Sequence, residues 1–425
     1  MFSTLANAWK IPELRKKLMF TLMMLLIYRI CSVIPVPYID AAQLAAYFES
    51  TLSNTILGLY DAMSGSAFSQ ATVLALGIQP YINASIIIQL LTVAIPALER
   101  MAKEEGEAGK KKIERITRYS TIGLGLLLGF GYYTMMRNYE TQGLTMITGE
   151  GVLPALTIVL AFAAGACFVM WMGEQITEFG IGNGISMILF ANIIAGLPGI
   201  LSRLLGLDWW QATIIAVGLL LVVVFIVFIN DAERRIPIQY AKRVVGRKVY
   251  GGQNTNLPIK VAMSGVMPVI FASSICSIPA TICAFIPGAT DKWVYKYLFS
   301  SSSWAYFAFY VLMIFFFSWF YSTIQYDPVE ISNNLKKNGG FIPGFRPGKP
   351  TADFIQKVIN KIIIFGAVYL AVVAGLPMVA GNLMSGAQNL AIGGTSIIIV
   401  VGVALETVKA LEAQMLMRHY KGFLD

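Results

Sequence analysis

The residues of this chain best suited to chemistry stand inside a stretch that otherwise reads as lipid-soluble. From Ala75 the sequence runs Ala-Leu-Gly-Ile-Gln-Pro-Tyr-Ile-Asn-Ala-Ser-Ile-Ile-Ile-Gln-Leu-Leu-Thr, which places Gln79, Pro80, Asn83, Ser85, Gln89 and Thr92 at membrane depth. Any one of them is satisfied by a hydrogen bond to a neighbouring helix, a contact of about 1 kcal/mol. Six polar or helix-breaking positions in one span instead predict a helix beside an aqueous path. Ile78 and Ile82 are four residues apart and share one helix face, which by spacing alone reads as ordinary apolar packing. Arg29 is a charge within the first apolar run. It is either a buried functional group or, being close to Pro35, one that snorkels to the interface.

Catalytic chemistry finds no such foothold. His419, near the carboxyl end, is the sole histidine, and neither H-E-x-x-H nor G-x-S-x-G occurs. The apolar runs contain almost no aspartate, which argues against an intramembrane aspartyl pair. Gly180-Ile-Gly-Asn-Gly-Ile-Ser186 lacks the G-x-G-x-x-G spacing and reads as a tight turn with Asn183 as a helix cap; Glu174 and Glu178 are expected in the loop before it. Cys31, Cys167, Cys276 and Cys283 lie in apolar segments without C-x-x-C spacing, as small core residues do. The expectation is therefore a non-enzyme with no cofactor and no metal.

The elements that must position these residues follow from composition. Of 425 residues 56% are hydrophobic and 13% charged, and the mean hydropathy is +0.67, too apolar for a water-soluble chain of this size. Long apolar runs predict ten spans, near 18–36, 74–97, 116–136, 153–172, 183–200, 210–230, 262–286, 304–325, 359–379 and 392–412. The first lacks a signal-peptide cleavage pattern and is expected to be retained. Between the first two runs, Asp40 to Val73 is too long for a tight turn, and Asp61 to Phe68 is expected to form a short helix.

The net charge of +9 is concentrated in a few loops. Placing the amino terminus in the cytoplasm puts Lys10 to Lys17, Arg100 to Arg118, Arg234 to Lys260, Lys336 to Lys361 and Lys409 to Lys421 on that side. Only Arg137, Arg203, Lys292 and Lys296 fall opposite, so both termini are expected to be cytoplasmic. The loop at 201–209 divides the spans five and five, into halves 1–202 and 203–425 of opposite orientation, as in an inverted repeat. Two basic cytoplasmic loops, near 231–260 and 326–358, carry Tyr250, Phe345 and Pro-Gly turns that suggest shaped docking surfaces.

Several motifs in order then point to a family. Ile34-Pro-Val-Pro with Ile39-Asp-Ala-Ala, Ala75 to Ser85, Gly173-Glu-Gln-Ile-Thr-Glu with Gly180 to Ser186, and Asn334-Leu-Lys-Lys with Phe345-Arg-Pro-Gly resemble SecY, the pore subunit of the bacterial Sec translocon, over nearly the whole length. The resemblance implies an all-α integral membrane protein of ten transmembrane helices, in two inverted five-helix halves around a central pore. It implies a lateral gate between the second and seventh spans, flanked by Asn83, Gln89, Ser273 and Ser274. Ile78, Ile82, Leu189, Ile270 and Ile399 match the family's ring of aliphatic pore residues, which reverses the packing reading of the first two. Residues 61–69, with Asp61, Met63, Ser64, Gly65, Ser66 and Phe68, match its plug, although Gly65-Ser66 stands where Gly-Gly is frequent.

Arg247, Lys248 and Arg346 match basic positions that receive the SecA motor or the ribosome; Lys248 replaces a common arginine and forgoes bidentate contacts. ATP chemistry would belong to SecA. SecE and SecG are implied partners, with the translocating polypeptide and membrane lipid, in the bacterial inner membrane. The implied function is conduction of unfolded secretory polypeptides, with release of apolar segments into lipid. A secondary transporter would share the spans and halves but should show a charged or polar substrate site at the midplane.

Overall fold

The computed structural model describes residues 2–48, 56–103, 105–140, 146–149, 151–206, 208–240, 243–245, 248–250, 255–263, 265–285, 303–383 and 393–421. Helices α1 (Phe2–Lys10) and α2 (Pro12–Cys31) come first. Pro12 opens α2 because a first-turn residue has no intrahelical partner for its missing N–H. Ile34 to Pro37 cannot continue the helix and runs extended instead, with Val36 donating to the Ala71 carbonyl and Val73 to that of Ile34. Asp40 then caps α3 (Ala41–Tyr47) by accepting from the amides of Ala42 and Gln43. Next is α4 (Ile56–Ser64).

The second predicted span starts later than its apolar run. Residues 74–78 form turns, and α5 (Gln79–Ala94) begins with Pro80 in its first turn, so this proline starts a helix rather than breaking one. Pro96 stops α5 by holding Ile95 extended. The chain bends by 105° there into the amphipathic α6 (Pro96–Lys103). Helices α7 (Gly106–Glu140), α8 (Val152–Phe179), α9 (Gly184–Leu205) and α10 (Trp209–Asp231) follow. Because α8 runs to Phe179, Glu174 and Glu178 lie on its last turns and not in the expected loop; Glu174 accepts from Arg118 of α7 at 2.8 Å. Asn183 caps α9 as expected, its side chain accepting from the Ile185 amide at 3.0 Å.

The two basic loop segments add short strands to the helical architecture. Strand β1 (Glu233–Tyr240) alternates, with Ile236 and Ile238 buried between exposed residues. It pairs antiparallel with β4 (Thr255–Lys260), while β2 (Arg243–Val245) pairs with β3 (Lys248–Tyr250). After α11 (Met267–Phe285), α12 (Trp304–Gln325) and α13 (Pro328–Lys337), the short β5 (Gly340–Phe341) adds to the free edge of β1, Gln239 opposite Phe341. Two loops separated by a hundred residues thus share one sheet of order β4-β1-β5. Ile236, Ile238 and Ile259 pack beneath it against Leu335, Ile355 and Ile359. Helices α14 (Lys349–Leu383) and α15 (Gly393–Lys421) complete the chain.

A helix lies at each of the ten predicted span positions. By length and composition, α8, α10, α14 and the α12–α13 stretch are long and apolar enough to cross a membrane, and the bent α5–α6 pair adds a fifth. The packing repeats. α5 lies on α7, α7 on α8 and α8 on α9; in the same order α11 lies on α12, α12 on α14 and α14 on α15. The apolar helix before each series packs on its third member: α2 on α8, and α10 on α14 through Phe225 and Tyr369. The two sets meet through α5 with α11 and α9 with α15. In α7, Gly125 and Gly129 let α8 approach closely at Ala163 and Val159, the small-residue device of helix pairs in lipid.

Candidate functional site

At the meeting of the two sets, four helices contribute aliphatic side chains to one large buried apolar cluster. Ile78 and Ile82 come from the start of α5, Leu189 from α9, Ile270 from α11 and Ile399 from α15, and all belong to one apolar cluster. Their exposures are 2, 4, 0, 3 and 3%, so the set expected to form a ring is buried. Such a ring offers no hydrogen bond to water or an ion, and it offers no strong grip to an extended chain either. The five expected ring residues thus all lie in this cluster, on helices that are counterparts in the repeated packing.

Met63 of α4 joins the same cluster. The helix ends one residue later because Gly65 and Ser66 both take left-handed backbone, φ +68° and +67°. The expected 61–68 helix is thus the last turn of α4 and the turn beyond it. Serine carries the second left-handed position where the family pattern has glycine, at a cost of about 1 kcal/mol. Asp61 braces the turn: its carbonyl accepts from the Ser66 amide and its carboxylate from the Ser69 amide at 2.8 Å. Ser64 Oγ accepts from the Phe68 amide, and Phe68 stacks on Tyr132 of α7, whose hydroxyl donates to the Phe68 carbonyl.

Burial pushes the Asp61 carboxyl above its ordinary value of 3.8, against the opposing pull of the Ser69 hydrogen bonds. A folded-state pKa above the unfolded one means that the seated segment binds protons more readily, so its stability falls as pH rises from about 4 toward the raised value. At neutral pH the charged form is a cost. Asp61→Asn keeps an oxygen for the Ser69 amide and removes that cost. Its thermal stability at about pH 7 should exceed that of the unsubstituted protein, and the gap should close near pH 4.

The polar residues expected at the gate, on α5 and α11, show no hydrogen bond to one another among the described residues. Gln89 donates to Ser85 of its own helix at 3.2 Å, and Ser273 to the Ile270 carbonyl at 2.9 Å. Asn83 Oδ1 and Ser274 Oγ are buried without a hydrogen-bond partner. Beside Asn83 an apolar cleft of about 200 Å³ opens between the two helices, lined by Ile86, Ile87, Ile275, Ile278 and Pro279. A polar tie to α11 that spacing did not suggest comes from α4, where Tyr60 and Ser277 hydroxyls lie 3.2 Å apart.

Arg29 does not snorkel outward. Its guanidinium donates to the carbonyls of Gly65, at 3.4 Å, and Ala191, at 3.1 Å. Asn192 of α9, missed in the sequence, donates to the Met63 carbonyl and to the Tyr28 hydroxyl, both at 2.8 Å. The signal was there: Asn192 is a polar residue in an apolar run, subject to the rule that singled out Asn83. Among the basic docking candidates, Arg346 is exposed on a turn held by Thr351, which donates to its carbonyl, and by stacking of Phe345 on Phe354. Lys248 starts β3, and Arg247 lies outside the described residues.

These features define a membrane-embedded, multi-spanning helical protein with a buried aliphatic cluster where two helix sets meet. The SecY family model matches residues 72–408, and the protein translocase subunit SecY of Streptomyces galbus is 44% identical over 438 residues, covering 100% of both chains. The chain belongs to the SecY family. Two solved structures share its fold, each covering 96% of both chains. One, described as a protein-conducting channel, has a TM-score of 0.68 at 19% identity. The other, from work on the plug domain of SecY and the closed state of the translocation channel, has 0.65 at 18%.

Proposed function

We propose that the chain conducts unfolded secretory polypeptides across the membrane and releases apolar segments into lipid through a lateral gate between α5 and α11. The reading assigns ten transmembrane helices to the positions of α2, α5, α7 to α12, α14 and α15, in inverted halves 1–202 and 203–425. The observation that carries it is the burial of Ile78, Ile82, Leu189, Ile270 and Ile399 in one apolar cluster that Met63 also joins. Residues 61–69 serve as the plug, and the cleft beside Asn83 marks the seam through which lipid and pore communicate. A segment rich in Leu or Ile gains about 0.3 to 0.6 kcal/mol per residue on leaving for lipid, whereas a charged residue loses about 2.5 to 3.5.

The basic clusters support cytoplasmic termini in a bacterial inner membrane. SecE and SecG are the companion subunits of this reading, and SecA or the ribosome docks on the two basic loops, with Arg247, Lys248 and Arg346 as its contacts. A photo-crosslinker at Ile82 or Ile270 should capture a stalled secretory chain. No product with a stalled chain, together with uptake of a small solute, would favour a secondary transporter instead. Arg346→Glu should slow motor-driven or ribosome-coupled translocation by about tenfold through a weakened encounter, read as protected product against time. Normal rates in both assays would remove the docking role.

A further inference from the structure

We infer that Arg29 and Asn192 are positioning residues that latch the plug shut by gripping its main chain; the inference rests on the reading of residues 61–69 as the plug. The last carbonyls of a helix lack intrahelical donors and carry the negative end of its dipole. At the end of α4, Asn192 Nδ2 meets the Met63 carbonyl at 2.8 Å and Arg29 Nη1 meets that of Gly65 at 3.4 Å. Both donors are anchored elsewhere: Arg29 Nη2 on the Ala191 carbonyl at 3.1 Å, and Asn192 on Tyr28 at 2.8 Å. The latch therefore ties α2 and α9 to the plug at one point.

Two consequences follow from the atoms used. Every plug atom gripped is a backbone carbonyl, so plug side chains can change without loosening the latch, except where a side chain would occupy the guanidinium's place. That exception is Gly65. A Cβ there would lie 2.9 Å from Arg29 Nη1 and 3.0 Å from Asn192 Oδ1, at φ +68°. The acceptors are also neutral, so the grip is weaker than a carboxylate pair and yields when an incoming chain displaces the plug.

The test is resting ion conductance of reconstituted vesicles. Arg29→Met and Gly65→Ala should each raise it by about tenfold, the loss of one charge-assisted hydrogen bond, with Arg29→Lys intermediate. The double variant should leak no more than the worse single one, because both cut the same contact. Ile82→Gly with Ile270→Gly is the control for the underlying reading. If the ring variant leaks while Arg29→Met and Gly65→Ala stay tight, the latch is wrong and the constriction stands; if none leaks, the channel reading itself fails. Leaks that multiply in the double variant would also overturn the latch. Should Arg29→Met fail to fold, Gly65→Ala in the other element decides alone.

Discussion

Vesicles carrying the Ile82→Gly and Ile270→Gly substitutions together should conduct ions at rest, where the unsubstituted channel stays tight. The two side chains come from α5 and α11 and are 4 and 3% exposed within one cluster. Deleting both removes about 3 to 6 kcal/mol of apolar burial, and nothing polar lies among the remaining ring residues to refill the gap. Water occupancy of the constriction should then rise by about a hundredfold or more. Conductance measured without any translocating chain reads this directly, and an unchanged value would remove the seal from these residues. Single substitutions should leak less, because Ile78, Leu189 and Ile399 still close most of the circumference.

Gly165→Ala should be strongly destabilising. A Cβ at this α8 position would stand 1.8 Å from the Val73 carbonyl oxygen. The atom it meets is backbone, in the short stretch that links the plug turn to α5, so no rotamer change relieves the clash. The cost should approach about 3 kcal/mol, the upper end for an overpacked interior, and appear as a lower melting temperature in detergent. Because the shifted segment is the anchor of both the plug turn and Ile78, resting conductance should rise in whatever fraction still folds. A melting temperature equal to that of the unsubstituted protein would show that α8 moves away without resistance.

How much of this was legible follows from the range of each interaction. Apolar runs are local patterns, and they placed a helix at each of ten positions. Capping is local too, so Asn183 was found at the start of α9. Helix starts were less legible: the apolar run from residue 74 hid the turns before Gln79, since hydropathy does not register a proline's position in a first turn. The sheet β4-β1-β5 was invisible because it joins segments that no short spacing relates.

The opening residues show the same division. The sequence by itself determined that Asn83, Gln89 and Arg29 sit in apolar runs and that Ile78 and Ile82 share a helix face, since lipid solubility and helix period are properties of a continuous segment. Family motifs matched Leu189, Ile270 and Ile399 to them. Only the tertiary structure decided that these five share a buried cluster, that Gln89 bonds within its own helix, and that Arg29 turns inward to Gly65 and Ala191. The physical reason is that a hydrogen bond or a close-packed contact depends on distances of a few ångströms between residues up to three hundred positions apart, which packing of whole helices sets.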